Sequence, residues 1–489
     1  MVRALAGKEF RESLRSVRFL VVVLVSCTLI PISVFVNTRS YEHRVRYHEE
    51  LVDVYRTQSE TAGLRADLVA EAFRPPSVLG ILFRGIEPAL PSHIQTSRDG
   101  LFTVLSENQP ADPSFASADS TDLVFLTTIV LSLLAFVFVH GTITREKEDG
   151  TLRLIVSTGA PRGSILSGKL LGSYVAFALP VAFGLILGLS IMIASPTVRA
   201  YLEGQLPQLL LMIFFVFVLL FLLFLLGTFV SMFAHRSGVA IVLLLFLWVF
   251  LVLALPRMAP MIAQIVYPAK PHQVVETEKR LIKISSDLHF RGVVDSLYDN
   301  VLSRHGLAAD TLDMFVPQLL TGKIKTAHDE YEKALGRLEA SQQAGILAQW
   351  WALDSTREMA YRSQQQLASF LTRLSPVGTF SMLTTTLAGT GLDEWGRSLA
   401  FARNFQDQVT REWYSKWIVR PYGANRAVTM PAGGTCPPGV DKSRLVAILT
   451  PAPTSESFKD SIPDMLILAG MTLLAGAGCW LRFRSYDVR

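Results

Sequence analysis

Six long apolar runs divide this sequence, and charged or proline-containing stretches separate them. An uninterrupted apolar stretch of about 18 residues or more is long enough to cross the hydrocarbon core of a bilayer as a helix. The pattern therefore predicts an all-α polytopic membrane protein with six transmembrane helices. The predicted spans are residues 19–36, 123–140, 170–194, 209–233, 239–255 and 465–481.

The first run has a second interpretation, because a cleavable signal peptide is also apolar and lies near an N-terminus. Bulky side chains, Val34, Phe35 and Val36, stand at the end of this run, where a cleavage site needs small residues. Residues 19–36 are therefore predicted to remain as a membrane helix.

The basic residues indicate how the spans are oriented. If six spans alternate in direction, residues 1–18, residues 141–169, the turn before residue 239 and the tail after residue 481 share one side. Lysine and arginine near span ends concentrate on the cytoplasmic side of membrane proteins. The basic residues in these segments are Arg3, Lys8, Arg11, Arg15, Arg18, Arg145, Lys147, Arg153, Arg162, Lys169, Arg236, Arg482, Arg484 and Arg489. We therefore expect both termini to be cytoplasmic, in the cytoplasmic (inner) membrane of a prokaryote.

The same topology places residues 37–122 and 256–461 outside, and together they hold more than half of the sequence. Apolar residues at helical spacing predict a helix over residues 41–73, which Pro75 and Pro76 would end. Residues 325–374 contain no proline, which favours a long helix or a helical hairpin.

Proline and glycine mark the later part of the outer region. Ser375-Pro376 is predicted to end the long helical stretch, and an amphipathic stretch over residues 380–414 has a turn at Gly389 and Gly391. The second outer segment, residues 256–461, is thus predicted to form a mainly helical extracytoplasmic domain.

Composition excludes several functions. Half of the residues are apolar, the mean hydropathy is +0.36, and the formal charge of +5 is modest. No basic tract is interleaved with aromatic residues, so we expect no nucleic-acid partner. No Asp, Glu, Lys or Arg lies in the middle of a predicted span, whereas ion-coupled transporters usually need such a group. Sodium sites built from backbone carbonyls escape this argument.

The sequence offers no catalytic or metal site. Residues 163–169 have the spacing of a phosphate-binding loop, but Leu170 stands where Ser or Thr would hold magnesium. Lys169 is instead predicted to reach water at the membrane interface. The nine histidines form no zinc-binding pattern, and a membrane enzyme with an external active site has no recognisable constellation to support it.

A polar segment between the second and third spans, residues 144–169, must emerge at a membrane face. Its charges are of both signs, and Gly150 and Thr151 end the charged run. This pattern predicts a docking surface for another protein. The predicted docking residues are Arg145, Glu146, Lys147, Glu148, Asp149, Gly150 and Thr151.

Two further groups of residues have predicted roles. Residues 5–18 form an amphipathic interfacial helix with Lys8, Phe10, Arg11 and Arg15. In the third span, Gly184 and Gly188 favour tight packing and Pro180 a kink.

The E-K-E-D-G-T-L stretch at residues 146–152 resembles that of ABC transporter permease subunits of the ABC-2 type, and the K-E-F start at Lys8 is similar to their N-terminal elbow. Leu387–Thr390 after a Ser-Pro resembles a subgroup with an enlarged outer domain. The resemblance implies two copies of a separate ABC ATPase and a second permease, as homodimer or related heterodimer.

On that resemblance, ATP and magnesium are expected on the ATPase, and this chain would bind no cofactor and no metal. The implied function is export or movement of a substrate driven by ATP hydrolysis. The alternative is a non-translocating complex that transmits ATP-driven motion to an envelope partner through the outer domain.

Overall fold

A computed structural model describes residues 2–61, 70–96, 102–105, 121–151, 161–307, 322–409, 446–450 and 453–485. Sixteen α-helices and strands follow one another along these residues, together with two short 3-10 helices at Leu79–Ile81 and Glu87–Ala89. In chain order they are α1 (Val2–Leu14), α2 (Val17–Thr61), β1 (Ala70–Phe73), β2 (His93–Thr96), β3 (Phe102–Leu105), α3 (Leu123–Glu148), α4 (Arg162–Ala194), α5 (Pro196–Leu202), α6 (Leu206–Phe233), α7 (Ser237–Val266), α8 (His272–His305), α9 (Gly322–Thr372), α10 (Pro376–Ala388), α11 (Leu392–Val409), β4 (Val446–Ile448) and α12 (Thr454–Arg484).

Six of these helices, α2, α3, α4, α6, α7 and α12, are long and apolar enough to cross a membrane. Each contains one of the predicted spans, so the prediction of an all-α polytopic membrane protein with six spans is confirmed. Helix α6 lies centrally and packs against α3, α10 and α12. The rings of Phe136, Phe177 and Phe224 are fully buried between α3, α4 and α6.

Glycines allow α4 to approach α2 closely. A Cβ atom at Gly184 would collide with the backbone carbonyl of Ser26, and one at Gly188 would lie 3.0 Å from a Val34 methyl group. Helix α4 runs unbroken from Arg162 to Ala194 through Pro180, which is buried. The two glycines therefore form the contact surface that brings α2 and α4 together.

The six spans alternate in direction. At one end of the bundle, which we call the α1 end, α1 lies on the first residues of α4. The last residues of α3, α6 and α12 and the first residues of α7 meet at the same end. The opposite end, which we call the sheet end, carries the strands and α8–α11. The first and last described helices thus meet the same end of the bundle.

The outer segments build a small sheet that the sequence analysis did not predict. Its strand order is β3-β2-β1-β4, with β1 antiparallel to β2 and parallel to β4. The predicted helix over residues 41–73 is wrong in its last part, because α2 is described to Thr61 and Ala70–Phe73 is a strand. Strand β1 pairs with β4, which lies far along the sequence, so no local pattern reveals this pairing.

Helices α8 and α9 form an antiparallel hairpin. Lys279 Nζ lies 2.9 Å from Asp354 Oδ1 near its base, and His305 Nε2 lies 2.9 Å from Glu330 Oε2 near its tip. Helix α9 has 51 residues and is therefore about 76 Å long. Of the two predicted alternatives for residues 325–374, a long helix or a helical hairpin, the long helix is the correct one, because α9 runs over Gly322–Thr372.

Helix α10 is enclosed by the membrane helices. Its Phe380 and Leu383 side chains are fully buried, and it packs against α6 and α12. The Ser375 hydroxyl caps its start by accepting a hydrogen bond from the Gly378 N–H, and Gly389 ends it with a φ of +66°. The predicted break at Ser375-Pro376 and the predicted turn at Gly389 are therefore confirmed.

Candidate coupling site at the α1 end

The end of α3 carries the charged residues that the sequence analysis singled out. The helix ends at Glu148, and Gly150 adopts a φ of +69°, which a glycine accepts without strain. The side chains that remain exposed at this tip are those of Arg145, Glu148, Asp149 and Thr151, and of these Glu148 also binds α7. Residues 152–160, the rest of the loop, lie outside the described residues.

A buried ion cluster joins three helices beside this tip. The Lys169 ammonium donates to Glu9 Oε1 at 2.6 Å and also to Glu146 Oε1, and only 2% of the lysine side chain is exposed. Burying an ammonium costs several kcal/mol, which close opposite charges must offset. We call Glu9, Glu146 and Lys169 the clasp, since it ties α1 and α3 to α4.

The clasp corrects one prediction. Lys169 does not reach water at the interface, as expected from its position before an apolar run, because both carboxylates enclose its ammonium. The same arrangement leaves this lysine committed to two carboxylates, which excludes it as a phosphate ligand in this conformation.

Lys147, which follows Glu146 in α3, binds the end of α6. The Lys147 ammonium donates to the carbonyl oxygen of Met232 at 2.6 Å and to that of Ala234 at 3.3 Å. The last carbonyls of a helix have no partner within the helix and carry partial negative charge. A lysine at this place therefore satisfies the end of α6 and fixes the tip of α3 against it.

Glu148 binds the start of α7, where the backbone groups without partners are N–H donors. Its Oε1 atom accepts a hydrogen bond of 2.8 Å from the backbone N–H of Ser237. The first N–H groups of a helix lack partners within the helix and favour negative charge. Three consecutive side chains of α3, Glu146, Lys147 and Glu148, thus bind three different membrane helices.

Helix α1 supplies the remaining contact to this site. A Cβ at Gly168 would stand 2.8 Å from the Leu5 Cβ, and one at Gly172 would stand 2.5 Å from the Ala6 carbonyl, so α1 lies directly on the start of α4. Phe10 packs against the core. The charged residues predicted for this interfacial helix, Lys8, Arg11 and Arg15, are exposed.

Sequence reasoning found the tip but missed how it is connected. Glu9 is one of several charges on a basic helix, and nothing in its neighbours distinguishes it from Glu12. The available signal was the pair of glycines around Lys169, which permit another helix to approach closely enough to cover the lysine.

Two further polar contacts join α3, α7 and the start of α10 within the bundle. Helices α3 and α7 each contain a π-helical segment, Leu126–Leu131 and Val249–Ala254. The Trp248 indole N–H donates to Ser132 Oγ at 2.8 Å, at the point where the two segments adjoin. The Ser375 hydroxyl, before α10, donates to the Leu251 carbonyl at 2.6 Å. π-segments free backbone groups and are frequent at functional sites.

An ion pair closes the sheet end of α12. Arg373 Nη2 lies 3.2 Å from Asp464 Oδ2, and Asp464 is 1% exposed. The Asp464 hydrogen bond raises the pKa of the Arg373 guanidinium further above its already high value. This contact fixes the end of α9 to α12.

These features define a class of protein: a six-span membrane protein whose charged tip at one end is bonded to several spans. Among the described residues no group of three or more side chains could hold a metal ion. The sequence matches the family described as ABC-2 family transporter protein over residues 3–488. The chain therefore belongs to the ABC-2 transporter family and is a multi-pass permease subunit of an ABC transporter. A search of curated proteins finds no match to it.

Proposed function

We propose that this permease couples ATP hydrolysis by a separate ABC ATPase to the movement of a substrate across the membrane, with the α3 tip as the docking element. One observation carries the proposal: the tip exposes Arg145, Asp149 and Thr151, whereas Glu146, Lys147 and the exposed Glu148 bind α4, α6 and α7. A partner that moves the tip would displace three membrane helices together.

The predicted docking residues therefore divide into two groups in this proposal. Arg145, Asp149 and Thr151 contact the ATPase, whereas Glu146, Lys147 and Glu148 pass its motion to the spans. Gly150 ends the helix and sets the shape of the docking surface.

The proposed complex contains two ATPase copies and two permeases, the second being an identical or a related chain. The α1 end faces the cytoplasm of a prokaryote, because the basic residues of α1, of the end of α3 and of the start of α4 lie there. ATP and magnesium are bound by the ATPases, and the permease itself hydrolyses nothing. In this proposal the bundle of six spans exports or moves a substrate.

Binding to the ATPase is the first test. The permease is purified in lipid nanodiscs with a candidate ABC ATPase from the same genome, and ATP hydrolysis is measured. An Arg145→Glu/Asp149→Lys double variant should lose most of the bound ATPase, because it reverses two of the three exposed charges of the tip and leaves Glu148, which binds α7, unchanged. Arg39→Glu, an exposed arginine beyond the span at the opposite end, is the matched control and should bind normally.

Coupling is tested separately from binding. Glu146→Gln should still retain the ATPase but lose most of the stimulation of hydrolysis by the permease, because the clasp is weakened and not the docking surface. Full co-purification and full stimulation in both the tip variant and the clasp variant would reject the docking proposal.

The hairpin favours a second candidate function, a complex that moves an envelope partner without transporting a substrate. In the described residues, α9 packs against α8 and against the end of α7, and the hairpin that α9 forms with the 34-residue α8 is about 51 Å long. ATP-driven motion of α7 would move this hairpin. Deleting the hairpin should abolish function while leaving ATPase binding intact, and an unchanged phenotype would remove this candidate.

A further inference from the structure

Helix α7 consists of three parts that differ in their backbone hydrogen bonds. Residues Ser237–Trp248 and Leu255–Val266 are α-helical, and the π-helical segment Val249–Ala254 lies between them. The inner part packs against α3 and α6, whereas the outer part packs against α9. Helix α7 therefore joins the bundle of spans to the outer hairpin, and the π segment lies at the junction.

The π segment leaves one carbonyl oxygen without a donor from its own helix. The Leu255 N–H donates to the carbonyl oxygen of Phe250, five residues back, instead of to that of Leu251, four residues back. The next residue, Pro256, has no N–H to offer to Leu251. The Ser375 hydroxyl supplies the missing donor, at 2.6 Å from the Leu251 oxygen. The chain that follows α9 thus completes the hydrogen bonding of α7 at this point.

A second contact to the bundle lies two residues earlier. The Arg373 guanidinium binds the Asp464 carboxylate of α12 through two atom pairs, Nε–Oδ1 at 2.5 Å and Nη2–Oδ2 at 3.2 Å. Paired hydrogen bonds of this kind fix the orientation of both groups. Asp464 is 1% exposed, and Ser375 is fully buried. We call Arg373 and Ser375 the latch.

The outer part of α7, α8 and α9 are bound to one another. The Gln364 amide donates to the carbonyl oxygen of Tyr267, and the Trp350 indole N–H donates to that of Lys279 at 3.1 Å. In the described residues the extensive packing of these three helices is with one another and with the π segment. We call Leu255–Val266, α8 and α9 the arm, because they form one unit that the π segment and the latch attach to the bundle.

The π segment is the part of α7 that resists bending least. Sharp kinks in helices occur at π-bulges and at prolines, because the regular backbone ladder is interrupted there. Its inner end is fixed, since the buried Trp248 directly before it donates to Ser132 of α3. A change of angle in α7 would therefore move the arm and leave the inner part in place.

We propose that the π segment of α7 is a hinge and that the latch holds the arm at one angle to the bundle. Loss of both latch contacts lets the arm rotate as one body while the six spans stay packed. The proposal concerns α7, the arm and the latch, and it is tested without ATPase or nucleotide, so it stands whether or not the α3 tip docks an ATPase.

The test measures the angle of the arm in the full chain in lipid nanodiscs. The three native cysteines are replaced by alanine, and nitroxide labels are attached after Ala348→Cys in α9 and Ala200→Cys in α5, both exposed positions. Double electron–electron resonance gives the distribution of distances between the two labels. Residue 348 lies about 36 Å along α9 from Thr372, so a rotation of about 10° would move it by about 6 Å.

The latch variant is Arg373→Gln/Ser375→Ala. Its distribution of distances should broaden or shift by about 6 Å or more, because both contacts of the latch are lost. Ser375→Ala alone keeps the ion pair and should broaden the distribution less. Arg362→Gln/Ser355→Ala is the matched control, since it makes the same changes where each side chain bonds to the preceding turn of α9, and it should keep the parent distribution.

A second pair of labels shows whether the arm moves as one body. Labels after Ala348→Cys and Asn300→Cys both lie in the arm, at exposed positions of α9 and α8, and their distance should be the same in the parent chain and in the latch variant. A change of this distance would mean that the hairpin has come apart, and it would overturn the hinge. An unchanged distribution between Ala348 and Ala200 in the latch variant would overturn it as well.

Restoring the missing donor separates a hinge from a general loss of stability. Pro256→Ala gives α7 an N–H that can reach the Leu251 carbonyl, so it should narrow the distribution of the latch variant toward that of the parent chain. No narrowing would mean that the hinge does not lie at the π segment, and the proposal would fail. Melting curves confirm that each labelled variant is folded.

Discussion

The clasp makes a quantitative prediction about Lys169. At 2.6 Å from Glu9 Oε1, the ammonium gains a Coulomb attraction of about 6 kcal/mol at an effective dielectric constant of 20. Desolvation of the three ions and repulsion between the two carboxylates oppose this gain. Lys169→Met leaves both carboxylates without a cation, and we expect the free energy of unfolding to fall by about 3–5 kcal/mol.

Removing the charge of Glu9 should cost more stability than removing the charge of an exposed glutamate. Glu9→Gln keeps an acceptor for Lys169 but loses its charge, so we expect a loss of about 1–2 kcal/mol. Glu12→Gln changes the same chemistry on the same helix at an exposed position and should stay within about 0.5 kcal/mol of the parent chain. This pair of variants separates the clasp from the general charge of α1.

Denaturant unfolding in mixed micelles measures these differences, with α-helical circular dichroism as the signal. An unchanged slope with a lower midpoint identifies a true loss of stability. The reasoning fails if Glu9→Gln and Glu12→Gln unfold at the same denaturant concentration, or if Lys169→Met is as stable as the parent chain. Either result would mean that the ammonium has another route to water.

Three other outcomes are expected. Gly184→Ala should destabilise the chain by about 1–3 kcal/mol, because its methyl group meets a backbone carbonyl, while Gly470→Ala, which meets nothing, should be neutral or stabilising in the same unfolding assay. Trp248→Phe should cost about 1 kcal/mol by losing its indole hydrogen bond. Hydrogen bonding to His305 lowers the pKa of Glu330, so this pair stabilises the hairpin tip above the ordinary glutamate pKa, and the stabilisation is lost as the pH falls through the lowered pKa. An NMR titration should show that lowered pKa, and His305→Gln should move the pKa of Glu330 back toward the ordinary value, while Arg304 keeps part of the lowering.

The sequence determined where the chain crosses the membrane and where its helices break. A span must be long and apolar because hydrocarbon offers no partner for polar groups, so its signal is local and independent of other spans. The breaks at Gly150, Ser375-Pro376 and Gly389 are equally local, since they depend on backbone restrictions of single residues.

Only the tertiary structure decided which charges meet. Lys169 and Glu9 are separated by 160 positions, and strand β1 pairs with a strand near the other end of the chain. The charge run Glu146–Glu148 has the same sequence whether it faces a partner protein or its own spans. Its placement follows from the close approach of α1 to α4 at Gly168 and Gly172 and from the unpaired backbone groups at the ends of α6 and α7. These charged and polar groups come together only when the spans pack. The counter-charge that each buried charge needs is therefore supplied by residues distant in the sequence and not by its neighbours.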